Sequence, residues 1–508
     1  NCNYVNATEG CICDLNSAEL VGRSWKKEAQ NCAFEVVRIT FAVVKGAESQ
    51  KMFQVRPLGE YRATLQLAIP LVIGQLGQII LAFADSAMVG HYGVKELAAA
   101  SFCVNLFNLP IIFLMGYSYG LLPALGRSYG SFVATSEVVR AGIRNIFLIS
   151  VGVLLLMLLP LAFLEAFKQP AELHGLIVTY YVLMLISLPF VGVFNALKQF
   201  FDSQGVTWIP MVALLAANAL NIFGNYVLIF GAWGCPELGL LGAGLATLFS
   251  RILEVLILAF VYLRHLHKRR FARHREKLQR VREPILRRYE LYRNGGGMGL
   301  QMGLETAMFS ISVIFVGWMG EVALAAHHVA VTVQTLGFMT YYGLGGAISI
   351  RVSRFMGQGQ SKRALIATNI GFRLLMLSAL TLGGLLWGFR TSIAGLFSTS
   401  PEVIELASLL LVVGIAYQPA DALQVCYSNA LRGLGDAWGL MLTAFVAYFG
   451  IGLPLSYILC VPVGLGALGV WLGYPVGLLG AGLMYAWRFY RTVYRHKNEI
   501  FLSRSRQS

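Results

Sequence analysis

The sequence predicts an all-α integral membrane protein, with twelve transmembrane helices arranged as two parallel six-helix repeats. Three observations carry that expectation. Of 508 residues, 57% are hydrophobic and only 13% charged, and the mean hydropathy is +0.65, far too apolar for a water-soluble domain of this length. Runs of the roughly 20 mostly apolar residues that a spanning helix requires recur along the chain. The chain also repeats itself.

The first span, Tyr61 to Gly90, holds a single carboxylate, Asp85, in the stretch LAFADSAMVG. Leu97 to Leu122, Val138 to Phe163 and Leu173 to Phe201 follow as uninterrupted apolar runs. The fifth, Val206 to Gly231, contains NALNIFGNYVLIFG, and the sixth, Leu238 to Tyr262, contains GLATLFS. The second half runs Leu291 to Trp318, Leu324 to Phe355, Arg363 to Phe397, Pro401 to Leu431, Gly435 to Cys460 and Gly464 to Phe489. Prolines at 70, 110, 189, 419 and 454 mark expected bends, because each removes a backbone hydrogen bond. Closely spaced glycines, such as Gly239, Gly242 and Gly244, are expected to let helices approach.

Shifting the chain by 227 positions lays VGHYGVKELAAA on VGWMGEVALAAH without a gap, and Gly116, Arg127 and Gly130 on Gly343, Arg354 and Gly357. At a shift of 230, Gly205 and Trp208 meet Gly435 and Trp438. Six is even, so both halves enter the membrane from the same side and are related by an axis along its normal. The expected units are an N-lobe at 52–263, a basic link at 264–290, a C-lobe at 291–490 and a tail at 491–508. A cavity between such halves near the midplane is the usual transporter geometry, although duplication alone leaves a channel open.

The net charge of +15 is concentrated: between Arg264 and Arg293 lie twelve Lys or Arg against three Glu. Further bases mark the links after spans two (Arg127), eight (Arg351, Arg354, Lys362, Arg363) and ten (Arg432), and the tail (Arg491, Arg495, Lys497). The odd-numbered links hold little beyond Lys95 and Lys168. Positive loops stay in the cytoplasm, so both ends of the twelve-helix unit are expected there. The basic link reads as a topology signal, not a nucleic-acid site.

Residues 1–51 break the pattern. They hold four of the eight cysteines (Cys2, Cys11, Cys13, Cys32), no run long enough to span, and no methionine before Met52. They are expected to be a disordered extra segment or a mis-assigned start. The CxC at Cys11 and Cys13 lacks a partner pair and is weak as a metal site. The sequon at Asn6 carries little in this segment, and Cys103, Cys235, Cys426 and Cys460 are expected to pack.

An ionised carboxylate at the bilayer centre costs roughly 2.5–3.5 kcal/mol and should face the bundle interior. Asp85, Glu305 in GLQMGLETAMFS and Asp421 in AYQPADALQV have no basic partner at helical spacing. By contrast, Arg251 with Glu254 and Lys198 with Asp202 are expected to pair locally. A lone buried acid persists by taking up a proton, since burial disfavours the charged form, or by binding a hard cation with neighbouring oxygens. Asn221 and Asn225 share one helical face, and Thr247 adds a hydroxyl in the next span. With Asp85 they would form a small-cation site; equally, such side chains join helices. The adjacent His327 and His328 point about 100° apart and are poorly placed to share a metal. No Walker A loop, nucleophile elbow or HExxH motif is present, so no enzymatic or ATP-driven chemistry is expected.

Taken together, ADSAMVGHYGVKELAAAS with Pro70 upstream, NALNIFGNYVLIFG, GLETAMFS, LAAHHVAVTVQTLGFM, GGAISIRVSRFMGQG, and YQPADALQVCYSNALRGLGD with GLPLSYILC resemble the multidrug and toxic compound extrusion (MATE) family. The resemblance is strongest to its bacterial NorM-type branch and spans about Met52 to Tyr494. It implies the two-lobed MATE fold in the bacterial inner membrane, alternating access, and export of cationic amphipathic compounds in exchange for Na⁺ or H⁺, with no cofactor beyond that coupling ion. Asp85 matches the family's first-helix acid, Glu305 and Asp421 its C-lobe acids, and Asn221 and Thr247 its N-lobe cation ligands. Asn225 stands where another branch has Asp, which removes a charge and leaves the coupling lobe open. Phe107, Met302, Phe309, Phe338, Met339, Tyr341 and Tyr417 are candidate cavity-lining groups for cation–π and sulfur contacts. The expected partners are small organic cations and the lipid bilayer, with the chain monomeric. The alternatives are a lipid-linked precursor flippase of the same superfamily, which should place bases in the cavity, and an intramembrane enzyme using paired acids.

Overall fold

A computed structural model of the chain describes residues 57–164, 170–268 and 288–505. The segment at 1–51, with its CxC and sequon, and most of the basic link lie outside the described residues. All twelve expected spans appear as helices, in order. In the N-lobe these are α1 (Pro57–Tyr92), α2 (Val94–Tyr119, continued by the short helix Leu122–Arg127), α3 (Phe132–Leu156), α4 (Ala171–Ser203), α5 (Trp208–Phe230) and α6 (Gly239–Lys268). In the C-lobe they are α7 (Arg288–Gly317), α8 (Glu321–Gly357), α9 (Ser361–Phe397), α10 (Pro401–Leu434), the composite α11 (Ala437–Cys460) and α12 (Ala467–Ser505). The protein is an all-α integral membrane protein.

Local chemistry sets the breaks. Ser131 caps α3, its Oγ accepting from the Ala134 amide at 3.3 Å, which satisfies one of the free donors of the first turn. Gly205 and Gly435, which the repeat pairs, follow α4 and α10 with φ of 79° and 83°, a left-handed conformation that side chains with a Cβ resist. Of the five prolines, Pro70, Pro110, Pro189 and Pro419 lie inside continuous helices. Pro454 is different. A π-helical stretch, Val446–Gly452, precedes it in α11, as expected where a missing N–H frees a carbonyl one turn upstream.

Several bases expected in links belong to helices instead. Arg351 and Arg354 lie in the last turns of α8, and Arg432 in the last turn of α10, where it is buried. The negative end of the helix dipole favours cations there.

Among the described residues the lobes touch chiefly along α1 with α8, α2 with α7, and the short helix Leu122–Arg127 with α8. A Cβ on Gly120 would lie 2.5 Å from the Gly295 nitrogen, and one on Gly116 2.8 Å from the Met298 oxygen; only glycine permits this approach. Gly126 backs onto the Ser353 backbone, and Gly343 onto Val72. Tyr119 Oη donates to Tyr342 Oη across the seam at 2.9 Å. These contacts lie toward the start of α1 and α7 and the end of α2 and α8, the face on which α6 ends and α7 begins.

Candidate ion and substrate site

Above the seam the lobes part around a cavity of about 520 Å³. α1 and α2 contribute Gln75, Gln78, Asn108, Ile111, Ile112 and Met115, and the C-lobe supplies most of the remaining wall. Of the seven expected lining groups, Met302, Phe309, Phe338, Met339 and Tyr417 face this space. Phe107 and Tyr341 do not. Phe107 lies in the N-lobe core beneath the Arg251 guanidinium, 4.9 Å from its ring centre, and Tyr341 is fully buried with its hydroxyl donating to Gln418 Oε1.

Glu305 is the only Asp or Glu among the described lining residues. Its Oε2 accepts from Gln301 Nε2 at 2.8 Å, one turn earlier in α7. Gln301 Oε1 in turn accepts from Arg432 Nη2 at 2.7 Å, so an amide stands between acid and guanidinium. Arg432 also donates to Asn429 Oδ1 at 3.3 Å and lies over the Tyr119 ring at 5.2 Å. Helical spacing offered Glu305 no basic partner; the fold brings Arg432 within electrostatic reach from α10. Among the described residues no ion pair closer than 4 Å forms at Asp85, Glu305 or Asp421.

Asp421 sits behind the wall, 1% exposed, with Oδ2 lacking any hydrogen-bond partner. It interacts electrostatically with Glu305. Gln424, two turns beyond Tyr417 on α10, donates to Tyr448 Oη at 2.7 Å, and its own Oε1 is also unpartnered. A cavity-facing carboxylate backed by a buried one, with a spare amide oxygen beside them, is a suitable environment for a proton or a hard cation.

Asp85 does not reach the cavity. It lies within the N-lobe, where Asn225 Nδ2 donates to its Oδ1 at 2.6 Å. The Asn221 amide is 2.9 Å from the same oxygen. With its nitrogen turned to Asp85, Asn221 donates there and its oxygen accepts from the Thr247 amide at 3.2 Å. In the other orientation Asn221 Oδ1 accepts from Asn225 Nδ2 at 3.0 Å, and its nitrogen lies 3.4 Å from the hydroxyls of Thr247 and Ser250. Two oxygens then face each other, which requires a proton or cation between them. All four expected N-lobe residues therefore meet, and the orientation with the Asn221 nitrogen toward Asp85 satisfies both groups.

Lys198 and Asp202 pair as expected, at 2.8 Å. Arg251 forms no such bond to Glu254; it donates to Ser187 Oγ and stacks on Phe107. It also acts electrostatically on Asp85, a neighbour from α6 that the spacing along α1 does not reveal. His327 Nδ1 accepts from Trp471 Nε1 at 3.0 Å, which assigns its proton to Nε2. Gln301, Gln424, Asn429, Arg432 and Trp471 were missed as site residues. Apart from Trp471 they are polar groups inside long apolar helices, the one signal that would have found them.

A central cavity between repeated lobes, with a buried polar cluster in each, defines a polytopic membrane transporter. The MatE family model matches residues 70–227 and 298–458, one block in each lobe. The chain belongs to the MATE family. It is 30% identical over 441 residues to the probable multidrug resistance protein NorM of Burkholderia mallei, covering 84% of this chain and 92% of that protein. It is equally 30% identical over 436 residues to the multidrug resistance protein NorM of Vibrio cholerae, covering 84% and 94%. The fold is shared with the eukaryotic MATE transporter AtDTX14 at TM-score 0.74 and 20% identity, covering 87% of this chain and 99% of that one. An outward-facing multidrug resistance MATE transporter of the MOP superfamily gives TM-score 0.75 at 18% identity, covering 86% and 97%.

Proposed function

We propose that this protein is a multidrug efflux antiporter that exports cationic amphipathic compounds in exchange for inward Na⁺ or H⁺ by alternating access. The observation that carries this reading is the single carboxylate, Glu305, in a cavity whose other described lining residues are amide, hydroxyl, aromatic, aliphatic and methionine side chains with one histidine and one arginine, Arg432. An organic cation gains from Glu305 and from the aromatic wall, while a proton or Na⁺ on the same acid removes that gain. Each ligand then shifts the conformational equilibrium only by its differential affinity for the two states. Asp421, behind Glu305, would share the coupling ion, and the Asp85 cluster would be a second site for it. One charge moving across about 100 mV releases about 2.3 kcal/mol, which at 1.4 kcal/mol per decade sustains a roughly fifty-fold gradient.

We place the protein in a bacterial plasma membrane as a monomer, with the basic link and C-terminal tail cytoplasmic. The cavity then opens outward, away from the closed seam. The flippase alternative asks for a basic cavity; Arg432 is the only Lys or Arg among its described lining residues, and it is engaged by Gln301 and Asn429. In proteoliposomes, an imposed Na⁺ gradient or pH gradient should drive ethidium uphill. Folded protein that moves no cationic dye under either gradient would remove the exporter reading, and transfer of a lipid-linked precursor instead would favour the flippase.

A further inference from the structure

The closed seam is held by side chains that cross between the lobes, and two of these crossings pair an arginine with a glutamate. From the end of α8, Arg351 Nη2 binds the Glu60 carboxylate near the start of α1. Its Nη1 donates to the Glu60 carbonyl at 3.1 Å and to Thr64 Oγ1 at 2.5 Å. Arg363, opening α9, lies 3.5 Å from the other Glu60 oxygen. On the opposite side, Arg127 at the end of the α2 extension binds Glu290 near the start of α7 at 2.6 Å. Glu60 and Glu290 are 230 positions apart, one of the repeat shifts, but the repeat mate of Arg127 is Arg354, which donates to the Ser203 carbonyl at 2.7 Å, and Arg351 lies one turn earlier. Each half offers an arginine from the end of its second helix to a glutamate near the start of the first helix of the other half, although the two arginines are not repeat mates.

The two crossings differ in burial. The side chains of Arg351 and Glu60 are 6% and 13% exposed, against 40% and 27% for Arg127 and Glu290. An exposed ion pair contributes little. Removing one partner of a buried pair leaves an unpaired charge out of water, a much larger penalty. Arg351 is committed to three acceptors on α1 from two of its guanidinium nitrogens, an arrangement that suits a planar fork better than the single nitrogen of a lysine.

We propose that Glu60 and Arg351 form the clasp that sets which face of the protein is open, with Arg127 and Glu290 a weaker counterpart on the opposite side of the seam. Glu60 and Arg351 do not line the cavity; they are positioning residues of the transport cycle. Opening at the link side must separate α1 from α8, and Glu60 and Arg351 part and hydrate in that step. This rests on the alternating-access reading above.

The test is the accessibility of two engineered cysteines in the full chain, one per variant, to a membrane-impermeant maleimide in vesicles of each orientation. Gln78→Cys reports the cavity, and Ser353→Cys reports the buried seam. Glu60→Gln should raise labelling of the seam cysteine from the link side by about tenfold and lower that of the cavity cysteine, because a broken buried pair destabilises the closed seam. The exchanged pair Glu60→Arg with Arg351→Glu should recover most of the native pattern. Arg127→Gln should change labelling by about twofold or less, as for other exposed pairs. If Glu60→Gln does not accumulate, Arg351→Lys supplies the same test with an intermediate rise. Native-like labelling in the single variant would overturn the proposal, as would an exchanged pair no better than the single variant. Labelling reports the open face whatever compound is carried, so failed dye export with an intact labelling response would count against the proposed cargo and not against the clasp.

Discussion

The N-lobe and C-lobe are repeats of one another, yet they bury their polar groups differently. The C-lobe has one continuous hydrophobic core running from α7 through α12. Its two acids, Glu305 and Asp421, lie between that core and the cavity, among the hydroxyls of Tyr417 and Tyr448. In the N-lobe the core is divided into two clusters, one around Phe107, Tyr181 and Leu188 and the other around Leu125, Phe200 and Leu258. The cluster of Asp85, Asn221, Asn225 and Thr247 adjoins the first, with Arg251 nearby, and the N-lobe lends the cavity only amide and apolar side chains. Equal topology therefore does not give equal chemistry. On the function proposed above, the C-lobe, whose Glu305 faces the cavity, would hold a cargo cation and a coupling ion by turns, whereas the Asp85 cluster, with one carboxylate and Arg251 nearby, lies away from the cavity.

Substitutions can break this contrast. The largest effect is expected from Glu305→Gln and Asp421→Asn, each lowering gradient-driven ethidium export by roughly thirtyfold or more, the scale of losing one buried charged partner. Both should still insert and purify as folded protein, because each replaces a buried charge by an amide of the same shape. Asp85→Asn should be milder, about three- to tenfold, since Asp85 does not line the cavity; equal losses in the two lobes would erase the distinction. The smallest effect sharpens it. Asn225→Asp places a second carboxylate beside Asp85 and should make the N-lobe bind Na⁺, read as a Tm higher in NaCl than in choline chloride when Glu305 and Asp421 are both neutralised. An unchanged Tm would mean that Arg251 still balances the added charge.

Much of this was legible in the sequence. Apolar windows placed all twelve helices, and the 227-residue repeat pointed to two six-helix halves. Asp85, Glu305 and Asp421 stood out because a charge inside an apolar run has few places to go. What could not be read was what faces each acid from another helix: Arg432 lies 127 positions from Glu305 in the chain, and helical spacing reports only neighbours one turn away. Phe107 and Tyr341 were misplaced for a related reason. Helices apolar on every side carry no stripe that distinguishes lipid, core and cavity faces, so an aromatic residue in them has no sequence mark of its direction. Arg351 and Arg432 looked like loop bases because hydropathy fades before a helix ends, and burial in the seam or cavity wall depends on the opposite lobe.

The central claim is that an organic cation and an inorganic one exclude each other at Glu305. Equilibrium binding of ethidium to the purified protein, followed by fluorescence polarisation while Na⁺ replaces choline at fixed ionic strength and then while pH is lowered, measures this directly. The wild-type Kd should rise with the coupling ion, and with falling pH if that ion is H⁺, because protonation removes the charge that holds the dye; in Glu305→Gln the Kd should start high and stay flat. A wild-type Kd indifferent to both ions, or a variant that binds the dye as tightly and responds as strongly as wild type, would contradict the account.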